Sequence, residues 1–189
     1  SPLIATGFTP VFVDCDRNSF QATLENFMHR QSNKTKGLML VHVYGQIGEV
    51  GEIVNWAKTN GYFIIEDAAQ ALGAKKDGVL AGSFGDIGIF STYSDKALPT
   101  GEGGLISVKA NELSDTIKLM RNQGRPNSGT FIHDSFGMNF RITDMQACIG
   151  DHLLKYYEDE LLRRRRLYKK YQIVDLNKYF NEFFYLNWN

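Results

Sequence analysis

Cysteine is scarce in this chain of 189 residues, and the two present, Cys15 and Cys148, form no CxxC or CxxH pair. That spacing gives no disulfide framework, argues against a zinc site and fits a reducing cytoplasm. Net charge is absent as well, because 21 Lys and Arg balance 21 Asp and Glu. Without an overall field the chain is not drawn to nucleic acid or to an anionic membrane, which leaves a small molecule as the expected partner. No apolar run approaches the roughly 20 residues that cross a bilayer. The N-terminus also lacks the charged, apolar and small-residue order of a signal peptide, so the protein reads as soluble. No GxGxxG turn follows a strand. Gly101-Glu102-Gly103-Gly104 precedes a strand-like stretch instead, which disfavours a Rossmann-type nucleotide-binding module.

What is present is enough apolar residue, 43% of the chain, for one domain that buries roughly 70% of its unfolded surface. The chain opens Ser1-Pro2-Leu3 without an initiator methionine and closes on the aromatic stretch Phe183 to Asn189. Both ends read as cuts through a longer protein, and a tail so aromatic is expected to pack against a missing surface.

Alternating β-branched and aromatic residues predict strands over Thr9 to Asp14, Gly37 to Tyr44 and Tyr62 to Glu66. The last two are nearly continuous apolar runs, as in parallel sheets covered by helices. Between them Val50, Ile53, Val54 and Ala57 recur at helical spacing, and Asn60-Gly61 gives a stop signal, so the unit is β-α-β. Shorter strands are expected at Ile87 to Phe90 and Leu105 to Val108, joined by a loop from Ser91 to Gly104 rich in glycine and proline. Ala110 to Asn122 reads as a helix and Gln123 to Ser135 as a mobile connection. One long helix is then expected from about Thr143 to Tyr171. Its Arg163 to Arg166 run points all round that helix and reads as a solvated face rather than an anion site. The alternation of strands and helices points to an α/β fold.

Two constellations could carry chemistry. Ile64-Ile65-Glu66-Asp67 ends a buried-type strand in a carboxylate, and ligands of open α/β sheets sit outside the carboxyl ends of strands. The other reading of Asp67 is a helix cap. Ser91 ends a second strand, with Lys96 five residues on in a glycine-flanked loop. A lone loop lysine is usually a surface charge. An amine for a Schiff base, a carboxylate at a neighbouring strand end and a hydroxyl for an anion make a more specific set.

Segments spread along the chain carry a resemblance. Gly7 to Asp14, Val41-His42-Val43-Tyr44-Gly45-Gln46, Glu66-Asp67-Ala68-Ala69-Gln70, Gly82 to Lys96, Gly101 to Gly104 and Gly137 to Ala147 follow one another in a familiar order. They resemble the sugar aminotransferases of the DegT/DnrJ/EryC1/StrS group, pyridoxal 5'-phosphate (PLP) enzymes of fold type I. The resemblance covers most of residues 7 to 150. It implies a three-layer α/β/α large domain, incomplete at both ends, with residues 1 to 172 a partial PLP-binding domain and 173 to 189 the start of a smaller one. It implies Lys96 as the Schiff-base lysine, Asp67 as partner of the protonated pyridine nitrogen, Gln70 against the cofactor ring or its 3-oxygen, and Ser91 on the phosphate. Asn139 would reach the phosphate of a neighbouring subunit in a homodimer. Arg141 would orient its loop, touch substrate or serve structure, and His42 and His133 would line the substrate side or act structurally. The implied reaction moves an amino group from an amino acid, with glutamate as the expected donor, to a nucleotide-linked keto sugar. The Thr100 to Gly104 and Met138 to Arg141 motifs look most like members acting on the C4 ketone of 4-keto-6-deoxy sugars, such as perosamine synthases. A PLP-dependent sugar dehydratase relative would carry histidine in place of Lys96. A non-catalytic fragment acting as a binding module is the remaining alternative. The sequence departs from the group in lacking its N-terminal phosphate-binding turn, and in having Ser91-Thr92-Tyr93 where Ser-Phe-Tyr or Ser-Phe-Phe is more usual, a change that spares the phosphate hydroxyl.

Overall fold

The computed structural model describes residues 2–127, 129 and 131–173. Helix α1 (Pro2–Ala5) and helix α2 (Leu24–Arg30) precede strand β1 (Gly37–Val41), helix α3 (Val50–Thr59) and strand β2 (Phe63–Asp67). A small hairpin comes next, β3 (Lys75–Lys76) and β4 (Val79–Leu80), and then β5 (Ile87–Ser91) and β6 (Gly104–Val108). Helices α4 (Asn111–Arg121), α5 (Asp144–Leu154) and α6 (Tyr157–Ile173) complete the order.

The main sheet runs β1-β2-β5-β6, with β1, β2 and β5 parallel and β6 antiparallel to β5. The expected α/β fold and β-α-β unit are therefore present, in a mixed sheet. Side chains alternate across a strand, and partners in register share a face. Leu38↔Ile64, Leu40↔Glu66 and Glu66↔Gly88 lie on one face; Met39↔Ile65, Val41↔Asp67 and Asp67↔Ile89 lie on the other. Helix α3 covers the first face. Its Val50, Ile53, Val54 and Ala57 pack with Leu38, Leu40, Ile64 and Phe27 into the largest buried cluster. Each such valine, leucine, isoleucine or phenylalanine side chain removed from water contributes on the order of 1.5–3 kcal/mol.

The opposite face is less covered. Met39, Val41, Phe63, Ile89 and Ile106 are all exposed there among the described residues. Helices α4 and α5 contribute no buried residue, whereas α3 contributes four.

Three elements differ from the sequence reading. Thr9 to Asp14 is not a strand, because a strand needs a ladder partner and none of the described residues provides one. Instead Val13 rests against the core cluster, while the Phe12 carbonyl accepts from Arg30 Nε at 3.1 Å. The strand expected to reach Tyr44 ends at Val41 in a 3-10 turn, where Tyr44 takes the left-handed conformation (φ 57°). The single long helix is two, broken between Leu154 and Tyr157. Each half has its own anchor: Gln146 Nε2 of α5 donates to the Glu102 carbonyl at 2.8 Å, and Tyr157 Oη of α6 donates to the Leu72 carbonyl at 2.7 Å. The break lets two straight helices reach both. On α6, Arg163 to Arg166 are exposed, and Glu160 binds Arg163 and Arg164 at 2.7 Å. The domain expected to begin at residue 173, and the aromatic tail, lie outside the described residues beyond 173.

Candidate active site

Strands β2 and β5 are adjacent and parallel, so their carboxyl ends open on the same edge of the sheet. Asp67 is the last residue of β2 and Ser91 the last of β5. Asp67 pairs with Ile89, and Ser91 lies two residues further along, so both side chains leave the sheet on its less covered face. Both are half-buried. Asp67 Oδ1 accepts from the Ala69 amide at 3.1 Å, the short-range bond by which an Asp caps the turn after its strand. Its backbone carbonyl accepts from the His42 amide at 3.0 Å, and the Ala68 amide donates to the Ile89 carbonyl at 2.8 Å. The carboxylate thus stands on a strand end pinned from both neighbours.

Gln70 is exposed, and its Oε1 accepts from the Tyr44 amide at 2.6 Å, which joins the turn after β2 to the turn after β1. Ser91 Oγ accepts from the Tyr93 amide at 3.2 Å. Lys96 sits in the loop between β5 and β6 with its amide donating to the Tyr93 carbonyl. Its side chain is 22% exposed and its Nζ is 3.0 Å from Asp95 Oδ1; among the described residues its ion pair is with Asp95 and not with Asp67. Asp67, Gln70, Ser91 and Lys96 therefore come from one edge of the sheet.

Asn139, Arg141 and His133 form a separate cluster around the end of α4. Asn122, which is buried, bridges to Asn139 and accepts from Arg141 Nη1 at 2.8 Å. His133 is exposed, with Nδ1 2.7 Å from the Gln123 carbonyl. Within one chain no hydrogen bond among the described residues joins these three side chains to the Lys96 loop. Gln146 links that loop to α5: its side chain donates to the Glu102 carbonyl and accepts the Thr143 amide in the capping box of α5.

His42 is buried in the interior, as a structural histidine would be. It is 3% exposed and its Nε2 lies 2.8 Å from Glu66 Oε2. Glu66 is the residue to which the sequence motifs assign no role. It is completely buried, and besides His42 it accepts from the amides of Gly82 (2.8 Å), Phe84 (2.7 Å) and Gly85 (2.6 Å). Burial by itself would raise its pKa. The His42 hydrogen bond and the Gly85 and Gly82 amides outweigh that and hold the carboxyl below its ordinary range. An ionised Glu66 fixes Nε2 of His42 as the donor. Gly82 meets the carboxylate in the left-handed region (φ +80°), which favours glycine there. The clue in the sequence is two consecutive acids ending an apolar strand, since alternation sends one of them inward, where it requires donors.

The donor set suits a phosphorylated aldehyde cofactor: an amine, a carboxylate with few competing partners and a strand-end hydroxyl, all on one edge. Fold and donor set together are of the kind found in PLP-dependent transferases of α/β type. The comparisons with known proteins agree. The family model for the DegT/DnrJ/EryC1/StrS aminotransferases matches residues 1–178. The chain is 36% identical over 188 residues to a GDP-perosamine synthase of Escherichia coli O157:H7, covering 97% of this chain and 52% of that one. It is 38% identical over 148 residues to a UDP-N-acetyl-3-dehydro-alpha-D-glucosamine 3-aminotransferase of Acidithiobacillus ferrooxidans, covering 78% and 40%. The structure of a putative sugar aminotransferase from Streptococcus pneumoniae in its PLP form superposes with a TM-score of 0.80 at 25% identity, covering 90% of this chain and 49% of that one. The chain belongs to the DegT/DnrJ/EryC1/StrS aminotransferase family. It spans about half the length of the relatives it matches.

Proposed function

We propose that the whole protein is a PLP-dependent aminotransferase that moves an amino group from an amino acid, glutamate in the first instance, to a nucleotide-linked 4-keto-6-deoxy sugar. The observation that carries the reading is the convergence of Asp67, Ser91 and Lys96 on one edge of the sheet in a chain of this family. Bound PLP supplies an electron sink for the carbon that loses its proton. The Asp67 carboxylate would pair with the protonated ring nitrogen and so keep that sink effective. Lys96 would hold the cofactor and, when free, would act as the base that moves a proton at the substrate carbon. Ser91 would donate to the phosphate, and Gln70 would contact the ring. Asn139 and Arg141, which share no hydrogen bond with the Lys96 loop among the described residues, would serve the site of a neighbouring subunit in a homodimer. The net exchange balances without an outside oxidant or reductant: the amino acid leaves as a keto acid and the sugar ketone becomes an amine.

The likeness to a GDP-perosamine synthase over nearly the whole chain supports a GDP-linked sugar and the C4 position over the UDP-linked 3-position. A substrate of this kind also supports a place in the cytoplasm, in polysaccharide biosynthesis. The test is turnover of full-length protein with PLP, glutamate and separate GDP-, TDP- and UDP-linked keto sugars, read by mass spectrometry. An amino sugar from a 4-keto-6-deoxy substrate is the expected product. Amination at C3 alone would move the protein to a different branch of the family, and no amination of any keto sugar would remove the enzyme reading.

A further inference from the structure

We propose that Thr92 and Thr100 are positioning residues, forming a hydroxyl clasp that closes the base of the Lys96 loop and sets where the lysine amine can reach. Both are buried, at 2% and 4% exposure, although each belongs to a loop on an otherwise accessible edge. The Thr92 amide donates to the Gly103 carbonyl at 3.0 Å and the Thr100 amide to the Thr92 carbonyl at 2.7 Å. Two backbone bonds therefore tie the start of the loop to its end.

The side chains add a directed chain. Thr100 Oγ1 is 2.8 Å from Thr92 Oγ1 and 2.9 Å from the Glu102 carbonyl. A hydroxyl has one proton to give. If Thr100 gave its proton to Thr92, the buried Thr92 proton would find no acceptor among the described residues and the Glu102 carbonyl would lose its hydroxyl donor. The arrangement that uses both protons runs from the Thr92 hydroxyl to the Thr100 hydroxyl to the Glu102 carbonyl. That carbonyl also accepts from Gln146 Nε2 at 2.8 Å, which carries the chain into the first turn of α5. Gly103 leaves the room: at φ +134° a Cβ there would lie 2.8 Å from Thr92 Oγ1.

Residues 93 to 99 are what the clasp encloses, with the Lys96 amide bond to the Tyr93 carbonyl inside and Leu98 buried beneath. Among the described residues the lysine amine is tied sideways, to Asp95 on its own loop. Where the amine can reach relative to the strand ends of Asp67 and Ser91 is thus set by how the loop is closed, and reacting groups displaced by about 1 Å can lose on the order of 100-fold in rate.

The proposal rests on Lys96 being the reactive amine, so the test has arms that do not. Full-length protein is compared with Thr92→Val, Thr100→Val and Thr92→Ser. In cofactor-free protein, amide hydrogen exchange over residues 93 to 99 and the acylation rate of Lys96 by acetic anhydride are followed by mass spectrometry. Each valine variant is expected to raise loop exchange about tenfold, the equivalent of one hydrogen bond, and to change Lys96 acylation, with β1 and β2 exchanging as before. With cofactor, kcat falls while KM for both substrates holds, and Thr92→Ser behaves as the parent. Parental exchange and acylation in both valine variants would overturn the clasp, as would a serine variant no better than valine. A rise in exchange that extends to β1 and β2 would also overturn it, by showing that the hydroxyls hold the whole fold. Lys96→Ala with full turnover would sink the functional reading and leave the exchange result standing.

Discussion

The two faces of the sheet are built from the same strands and the same kinds of residue, yet they are used differently. On the face under α3, Leu38, Leu40 and Ile64 are buried with the helix stripe Val50, Ile53, Val54 and Ala57. Glu66, on that same face, spends its whole hydrogen-bonding capacity inward, on His42 and three amides of the turn before β5. On the other face Met39, Val41, Ile89 and Ile106 are exposed, and Asp67 and Ser91 stand at its edge. One peptide bond separates the acid that holds the scaffold from the acid assigned to the cofactor. Stability resides in one face and the chemistry we propose lies at the edge of the other, an arrangement that can keep a half-buried carboxylate without unpicking the core.

Substitutions on the two faces should separate those roles. The largest effect is expected from Glu66→Ala, which leaves three amides and His42 without their partner. Losing one member of such a buried charged network costs about 3–5 kcal/mol, seen as a lower urea midpoint. Asp67→Asn should do the reverse, reducing turnover about 100- to 1,000-fold while the urea midpoint barely moves. A large loss of stability in Asp67→Asn would mean that the two acids share one task. Ile64→Val, at a fully buried position, should cost about 0.5–1.5 kcal/mol. Glu66 also carries a pH dependence. The folded-state pKa of Glu66 is depressed, so its contribution is complete above the unfolded carboxylate pKa and is lost as pH falls through the folded value. An acid-unfolding profile of Glu66→Gln should therefore be flatter on its acid limb than that of the parent. Smallest of all, Ile106→Ala on the open face, where Ile106 is 54% exposed, should change the stability of this chain by less than about 0.5 kcal/mol.

Much of this division could be read from the sequence. Helical spacing in Val50 to Ala57 and apolar runs on either side give the β-α-β unit, because burial against a sheet imposes those periods. Asp67, Ser91 and Lys96 are legible as a set because strand ends and glycine-flanked loops are where α/β sheets expose side chains. What stayed hidden depends on partners distant in sequence. Thr9 to Asp14 has the composition of a strand but no neighbour to pair with among the described residues. The helix expected from Thr143 to Tyr171 carries no proline or other local signal for its break, which comes from two anchors, Glu102 and Leu72, on different loops. Thr92 reads as a variation that merely spares Ser91. Only the folded loop brings its hydroxyl to Thr100.

The most direct measurement of the central claim is the visible absorbance of full-length protein with PLP, before and after glutamate, beside Lys96→Ala. A yellow band that glutamate bleaches, that borohydride fixes covalently to the parent protein and that the variant never acquires is the expected result. A folded, full-length protein whose absorbance with PLP is the same with and without Lys96 would contradict it.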